Sequence, residues 1–100
     1  MVNLTTEVLL EAGYNSTDAL VQDWALMIAL SKVEQYQAEC EFLENKYHTT
    51  FAKLEHLAHR EKGSESFQQE EDLEDWEFAQ QALSWWQARV TELVHATANA

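Results

Sequence analysis

The sequence predicts an all-α protein, and three features of its composition lead to that fold class. The chain has 100 residues, no proline and only two glycines, Gly13 and Gly63. Strands and tight hairpins depend on such turn residues, so a β-sheet protein would lack most of the turns that it needs. Ala, Leu, Glu and Gln, which favour helices, are frequent instead. With 46% apolar residues in a chain of this length, we expect a single folded domain.

Helix start and stop signals divide this domain into four predicted helices. Gly13 ends the first helix, and a run of asparagine, serine, threonine and aspartate soon after it offers N-caps for the second. Thr49 or Thr50 can cap the third helix, with a kink or break before it. The segment Gly63-Ser64-Glu65-Ser66 is typical of a loop before the fourth. The predicted helices cover about residues 5–12, 17–47, 50–61 and 69–97.

The two long helices each carry a stripe of apolar residues at alternating steps of 3 and 4. This heptad spacing keeps one face of a helix in contact with a neighbouring helix. We therefore expect the two long helices to fold back on each other as an antiparallel hairpin. The stripes consist of Leu26, Ala29, Val33, Tyr36, Cys40, Leu43 and Tyr47 in the second helix, and Trp76, Ala79, Leu83, Trp86, Val90 and Leu93 in the fourth.

Apolar side chains off these stripes predict that the hairpin does not stand alone. Between Trp24 and Leu30 they point in every direction, and a helix that is apolar all round must be covered all round. The short first helix can cover one side. We expect a second copy of the chain to cover the rest, giving a dimeric assembly like a four-helix bundle. The predicted dimer interface comprises Trp24, Met27, Ile28, Leu30 and Trp85.

The net charge of −12, from 18 acidic and 6 basic residues, narrows the choice of partners. Nucleic acid and anionic membranes repel such a chain, so a basic protein is the expected partner. The N-terminus lacks a secretory signal, and the longest apolar run, Trp24 to Leu30, is too short to span a bilayer. The single cysteine, Cys40, has no partner for an intramolecular disulfide. A cytoplasmic protein is the expectation.

Few residues indicate catalysis or metal binding. His56 and His59 lie one helical turn apart, but a structural metal site usually needs four ligands, so two surface histidines are the favoured interpretation. A di-metal carboxylate bundle requires Glu-x-x-His on two helices, and Glu92 to His95 is the only instance. Cys40 lies on the apolar stripe and is interpreted as a core residue. We expect no catalytic residue, no cofactor and no metal ion.

A run of acids around Trp76 is the strongest candidate for a binding surface. Acids are common in the first turn of a helix, whose N-terminus carries partial positive charge, so a solvated face is one interpretation. The other is a surface that binds a basic protein, with Trp76 as its anchor. The predicted partner-binding residues are Glu71, Asp72, Glu74, Asp75 and Trp76.

Three stretches together resemble a known family. They are residues 32–47 (KVEQYQAECEFLENKY), Thr50-Phe51 and residues 71–77 (EDLEDWE). They resemble the small helical proteins encoded beside TumE-type toxins in bacteria and archaea. The pattern of that family runs approximately Tyr-x-x-Glu-x-x-x-Phe-x-x-Lys-Tyr-Gly-Met-Thr-Phe, followed by an acidic Asp-Leu-x-x-Trp-Glu. The resemblance covers about residues 30–95 and departs at His48-Thr49, where the family usually has Gly-Met.

The resemblance implies the antitoxin of a toxin–antitoxin pair, which neutralises a nuclease-like toxin by binding it. Histidine adopts a left-handed helix end less readily than glycine, so the departure at His48 predicts a break softened into a kink. Two alternatives stay open. One is a structural or adaptor helical dimer, and the other is a helical-bundle enzyme with a carboxylate metal site.

Overall fold

The computed structural model describes residues 3–60 and 67–98, apart from the side chains at positions 59, 60, 97 and 98. Within these ranges every regular element is a helix, which confirms the all-α class. The loop predicted from Gly63 to Ser66 lies outside the described residues. The helices are α1 (Leu4–Glu11), α2 (Thr17–Tyr47), α3 (Phe51–Arg60) and α4 (Phe67–Ala98).

Polar side chains set the starts of the first two helices. Asn3 Oδ1 accepts a hydrogen bond from the backbone N–H of Thr6 at 2.8 Å, and Ser16 Oγ accepts one from that of Ala19 at 3.1 Å. Each bond satisfies an amide that has no partner within its own helix. After α1, Gly13 has a φ of 97°, a left-handed conformation that glycine adopts without a side-chain clash.

The boundary between α2 and α3 is a full break. His48, the C-cap of α2, has a φ of 53° and a ψ of 35°, which is the left-handed region. α3 then starts at a cap formed by Thr50, whose Oγ1 accepts a hydrogen bond from the backbone N–H of Lys53 at 3.3 Å. A kink and a break were both open from the sequence, and the structure has the break. The Thr50 cap and the packing of α3 against α4 outweigh a backbone strain at His48 of about 1–2 kcal/mol.

The main contact in the molecule is between α2 and α4, with the C-terminal half of α2 beside the N-terminal half of α4. The core between them contains the stripe residues from Tyr36 to Tyr47 and from Trp76 to Leu83, and α3 adds Phe51 and Leu54 to it. Burial of each large apolar side chain there contributes roughly 1.5–3 kcal/mol. The core contains Cys40, Leu43, Leu54, Trp76 and Ala79, with Tyr36, Tyr47, Phe51, Leu73 and Leu83 packed against them.

The molecule is a rod of 70 × 27 × 17 Å. Its radius of gyration is 20.5 Å, whereas a compact domain of 100 residues has about 13 Å. Its accessible surface is 7698 Å², roughly 1,900 Å² more than is usual for a folded monomer of 11.6 kDa. Many apolar side chains therefore remain in contact with water.

The first helix does not cover the apolar part of α2, and that expectation requires correction. No residue of α1 is buried, and Leu4, Val8 and Leu10 are all exposed. Val8, Leu9 and Leu10 are consecutive, so their side chains point in different directions and α1 cannot place all three against α2 at once. The link to α2 is polar instead, since the Tyr14 hydroxyl donates a hydrogen bond to Asp23 Oδ2 at 2.8 Å.

Candidate protein-binding surfaces

The end of α2 and the start of α4 are joined by a buried carboxylate. Asp72 is only 7% exposed and accepts three hydrogen bonds. Lys46 Nζ, at 2.6 Å, and Tyr47 Oη both donate to its Oδ2, and Gln68 Nε2 donates to its Oδ1 at 3.0 Å. Burial of a charge is tolerated only with such partners.

These contacts shift the pKa values of the Asp72 carboxyl and the Tyr47 hydroxyl in opposite directions. The hydrogen bonds from Lys46 and Tyr47 hold the pKa of the Asp72 carboxyl below its ordinary value. Burial, together with the hydrogen bond to Asp72, raises the pKa of Tyr47 to about 12. Around neutral pH, Asp72 is therefore an anion and Tyr47 a neutral hydrogen-bond donor.

Trp76 lies beside this network, and it is fully buried. Its ring stacks on Tyr47 with the centroids 6.2 Å apart, and it meets Phe51 edge-to-face at 5.8 Å. Such arrangements are typical of aromatic pairs in a protein core. The placement of Trp76 and Asp72 on a partner-binding surface therefore requires correction, because contacts within the chain already cover both side chains.

The sequence contained a signal for this burial. Asp72 stands four residues before Trp76, the first member of the α4 stripe. Asp72 therefore lies on the same face of α4, one turn closer to the N-terminus of the helix. The acidic character of the run concealed this position, because carboxylates are rarely buried unless they are paired. A lysine and a tyrosine at the end of α2 supply the pairing.

The other three predicted partner-binding acids, Glu71, Glu74 and Asp75, are exposed, and the spacing of Glu74 and Asp75 from Glu71 makes them its neighbours on the surface of α4. Asp75 lines a groove between α2 and α4, whereas Glu74 lines a smaller groove between α3 and α4. Glu71 borders neither of these two grooves. Of the five predicted residues, Asp72 and Trp76 are therefore buried, and the three exposed acids are the ones that remain available to a partner.

The larger groove, between α2 and α4, has a volume of about 650 Å³. Tyr36, Phe42 and Phe78 line it, and the last two are 67% and 61% exposed. The Tyr36 and Phe78 rings meet edge-to-face at 5.9 Å. The exposed acids Glu39 and Asp75 also line this groove. The groove was not predicted from the sequence, where Phe42 and Phe78 stand out only as apolar residues off the two stripes.

Charge is distributed unevenly along the rod. Residues 34–47 of α2 and 67–77 of α4 contain ten acids and one base, and we call them the acidic half. Residues 19–33 of α2 and 78–96 of α4 contain two acids and two bases, and we call them the neutral half. The net charges of these two halves are therefore −9 and 0, with histidines counted as neutral.

The neutral half carries the residues predicted to form a dimer interface, and in the single chain all of them are between 47% and 65% exposed. The Trp85 ring meets the Trp86 ring edge-to-face at 4.8 Å, and the Arg89 guanidinium lies 4.7 Å from the Trp85 centroid. Large apolar side chains exposed in this number leave apolar surface for a partner to cover. These residues are Trp24, Met27, Ile28, Leu30 and Trp85.

No protein-family model, curated protein or solved structure matches this chain. Across the residues that the structure describes, none of the helices combines the length and the apolar character needed to cross a membrane.

Reactive side chains are few in the described part of the chain. Cys40 is buried in the core, as predicted, and burial raises the pKa of its thiol, with a further contribution from Glu44. A buried, protonated thiol is a poor nucleophile. Among the described residues, no three His, Cys, Asp or Glu side chains are placed to share a metal ion. His56 is exposed, and the side chain of His59 lies outside the described part.

Proposed function

We propose that this chain is a non-catalytic protein-binding module: the antitoxin of a toxin–antitoxin pair, acting as a homodimer in the cytoplasm. The observation that carries the proposal is the separation of the acidic half from the neutral half. Two neutral halves can pair without like-charge repulsion, and their exposed tryptophans give them apolar surface to bury. The acidic half repels a second copy and attracts a basic protein.

The dimer part of the proposal rests on surface area and composition. In a standard interface each partner buries about 800 Å². The excess surface of the rod, roughly 1,900 Å² over a compact monomer, is more than sufficient. Two antiparallel α2–α4 hairpins joined through their neutral halves would form a four-helix bundle, with Trp24 and Trp85 at the contact. Aromatic residues and methionine are enriched in such interfaces.

The antitoxin part is supported by the resemblance to proteins encoded beside TumE-type toxins. Residues of the matched stretches contact each other, since Lys46 and Tyr47 from the first stretch bond Asp72 from the last. His48 stands where that family has glycine, and its backbone has the left-handed conformation that glycine favours. These matched residues therefore connect the end of α2 to the start of α4, and the exposed residues around them remain available to bind a toxin.

Neutralisation follows from electrostatics. A nuclease-like toxin needs basic residues to hold the phosphates of its RNA substrate. An acidic protein that covers those residues excludes RNA by competition, and no covalent chemistry is required of the antitoxin. Complementary charge also speeds the encounter of the two proteins.

Co-expression tests this proposal directly. We expect the product of the neighbouring gene to arrest growth when it is expressed alone, and growth to return when this chain is expressed with it. The two proteins should then co-purify as a complex. Growth arrest without rescue, or a neighbour that neither affects growth nor binds the chain, would contradict the antitoxin role. A stoichiometric metal found by elemental analysis would favour the enzyme, and a dimer without rescue or metal the adaptor.

A further inference from the structure

We infer that the groove between α2 and α4 in the acidic half is the docking site for a basic amphipathic helix of the partner protein. Phe42 and Phe78 are its anchors, and Glu39 and Asp75 its charged contacts. This inference rests on the proposed function, and it names the surface and the class of ligand that the function uses.

The shape of the groove favours a helix as the occupant. α2 and α4 lie side by side, and a third helix fits along the depression between two packed helices. An amphipathic helix inserts apolar residues spaced three or four apart into such a groove. At about 650 Å³, the groove has room for several of these side chains.

The two phenylalanines supply apolar contact that the chain itself leaves unused. Neither belongs to the buried core, and each exposes more than three-fifths of its surface. Tyr36 and Leu43 also line the groove. Leu43 belongs to the α2–α4 core and Tyr36 packs against it, so the core holds these two lining residues in place. Aromatic side chains at the centre of an interface contribute most of its binding energy.

The charge of the acidic half selects the class of partner. Lys46, the one base among its ten acids, is already paired with Asp72, so it does not neutralise Glu39 or Asp75. A second copy would bring a net charge of −9 against −9. RNA and anionic lipid are repelled in the same way. A helix with Lys or Arg on both sides of an apolar stripe complements both the phenylalanines and the acids.

A peptide-binding experiment tests the docking site without the natural partner. The probe is a fluorescein-labelled 18-residue helix of Leu and Lys in an amphipathic pattern, followed by fluorescence anisotropy. We expect Phe42→Ala with Phe78→Ala, and separately Glu39→Lys with Asp75→Lys, each to weaken binding about tenfold or more. The matched control, Glu41→Lys with Glu77→Lys, makes the same change in net charge on the same helices outside the groove, and it should weaken binding less than about threefold. Circular dichroism checks the helix content of every variant.

Two results would overturn the docking site. Equal loss of binding in the two charge-reversal pairs would mean that the peptide senses net charge alone. Conversion of the protein from dimer to monomer by Phe42→Ala with Phe78→Ala would mean that the groove is a contact between copies of this chain. The same variants in the co-expression assay separate the two proposals. If all of these variants rescue growth as the wild type does, the antitoxin role stands and the docking site fails. If the wild type itself does not rescue growth, the antitoxin role fails, and the peptide-binding result alone decides whether the groove is a docking site.

Discussion

Lys46 Nζ lies 2.6 Å from Asp72 Oδ2, and this ion pair joins the last turn of α2 to the first turns of α4. The lysine is partly exposed, whereas the carboxylate is buried and also bonded by Tyr47 and Gln68. Sliding one helix past the other by a turn would leave a buried charge without its partners, at a cost of several kcal/mol. The pair therefore fixes the register of α2 against α4, on which both the groove and the neutral half depend.

Replacement of Asp72 tests whether its ion pair with Lys46 fixes the register of α2 against α4. Asp72→Asn is expected to lower the free energy of unfolding at pH 7 by about 1–3 kcal/mol, because Lys46 and Tyr47 lose a charged acceptor. Urea titrations at a fixed protein concentration measure the change. Glu71→Gln, at an exposed position beside it, is the control and should change stability by less than about 0.5 kcal/mol.

The contribution of Asp72 also depends on pH in a defined direction. Its pKa in the fold lies below the ordinary value of 3.8, so its stabilising effect is complete above that value and is lost as the pH falls through the folded pKa. The difference in unfolding free energy between wild type and Asp72→Asn should therefore shrink as the pH falls below about 4. A difference that stays constant from neutral pH into this range would contradict the account.

Truncation of Trp76 tests its place in the core. Trp76→Ala is expected to cost about 3–5 kcal/mol, the range for loss of a large buried aromatic side chain. Trp76→Phe should cost less than half as much, because it keeps a ring against Tyr47 and Phe51. It also removes the buried indole N–H, which has no hydrogen-bond acceptor among the described residues. Phe67, an exposed residue in the same helix, is the control, and a loss in Phe67→Ala as large as in Trp76→Ala would count against the core assignment.

Glycine at position 48 should stabilise the protein. His48 is the one non-glycine residue with positive φ among the described residues. His48→Gly removes the strain of a side chain in the left-handed region, and we expect a gain of about 0.5–1 kcal/mol after the greater chain entropy of glycine is subtracted. His48→Val should destabilise, because branched side chains avoid this conformation. Thermal denaturation followed by circular dichroism ranks the three proteins, and a glycine variant less stable than the wild type would contradict the prediction.

The sequence predicted those features that depend on local signals. The absence of proline and the alternating steps of 3 and 4 were sufficient for the all-α class and for the inward stripes of α2 and α4. Ser16 and Thr50 act as caps from within the runs that contained capping residues. The described helices begin and end within about two residues of the predicted bounds.

What the sequence did not predict depends on contacts between distant segments. The burial of Asp72 requires Lys46 and Tyr47. Asp72 is separated from them by 26 and 25 positions in the sequence, and no local pattern connects residues so far apart. The left-handed backbone of His48 is held by the helices on both sides, against the preference of histidine itself. The groove arises because α2 and α4 place Phe42 and Phe78 on one side of the rod, and their sequence spacing alone does not show this.

Sedimentation equilibrium at micromolar concentration tests the division into an acidic half and a neutral half most directly. We expect the wild-type protein to have a mass of about 23 kDa, twice the 11.6 kDa of one chain. Trp24→Glu with Trp85→Glu should give single chains, and Phe42→Ala with Phe78→Ala should leave the dimer intact. A wild-type protein that sediments at 11.6 kDa as a stably folded single chain would contradict this expectation.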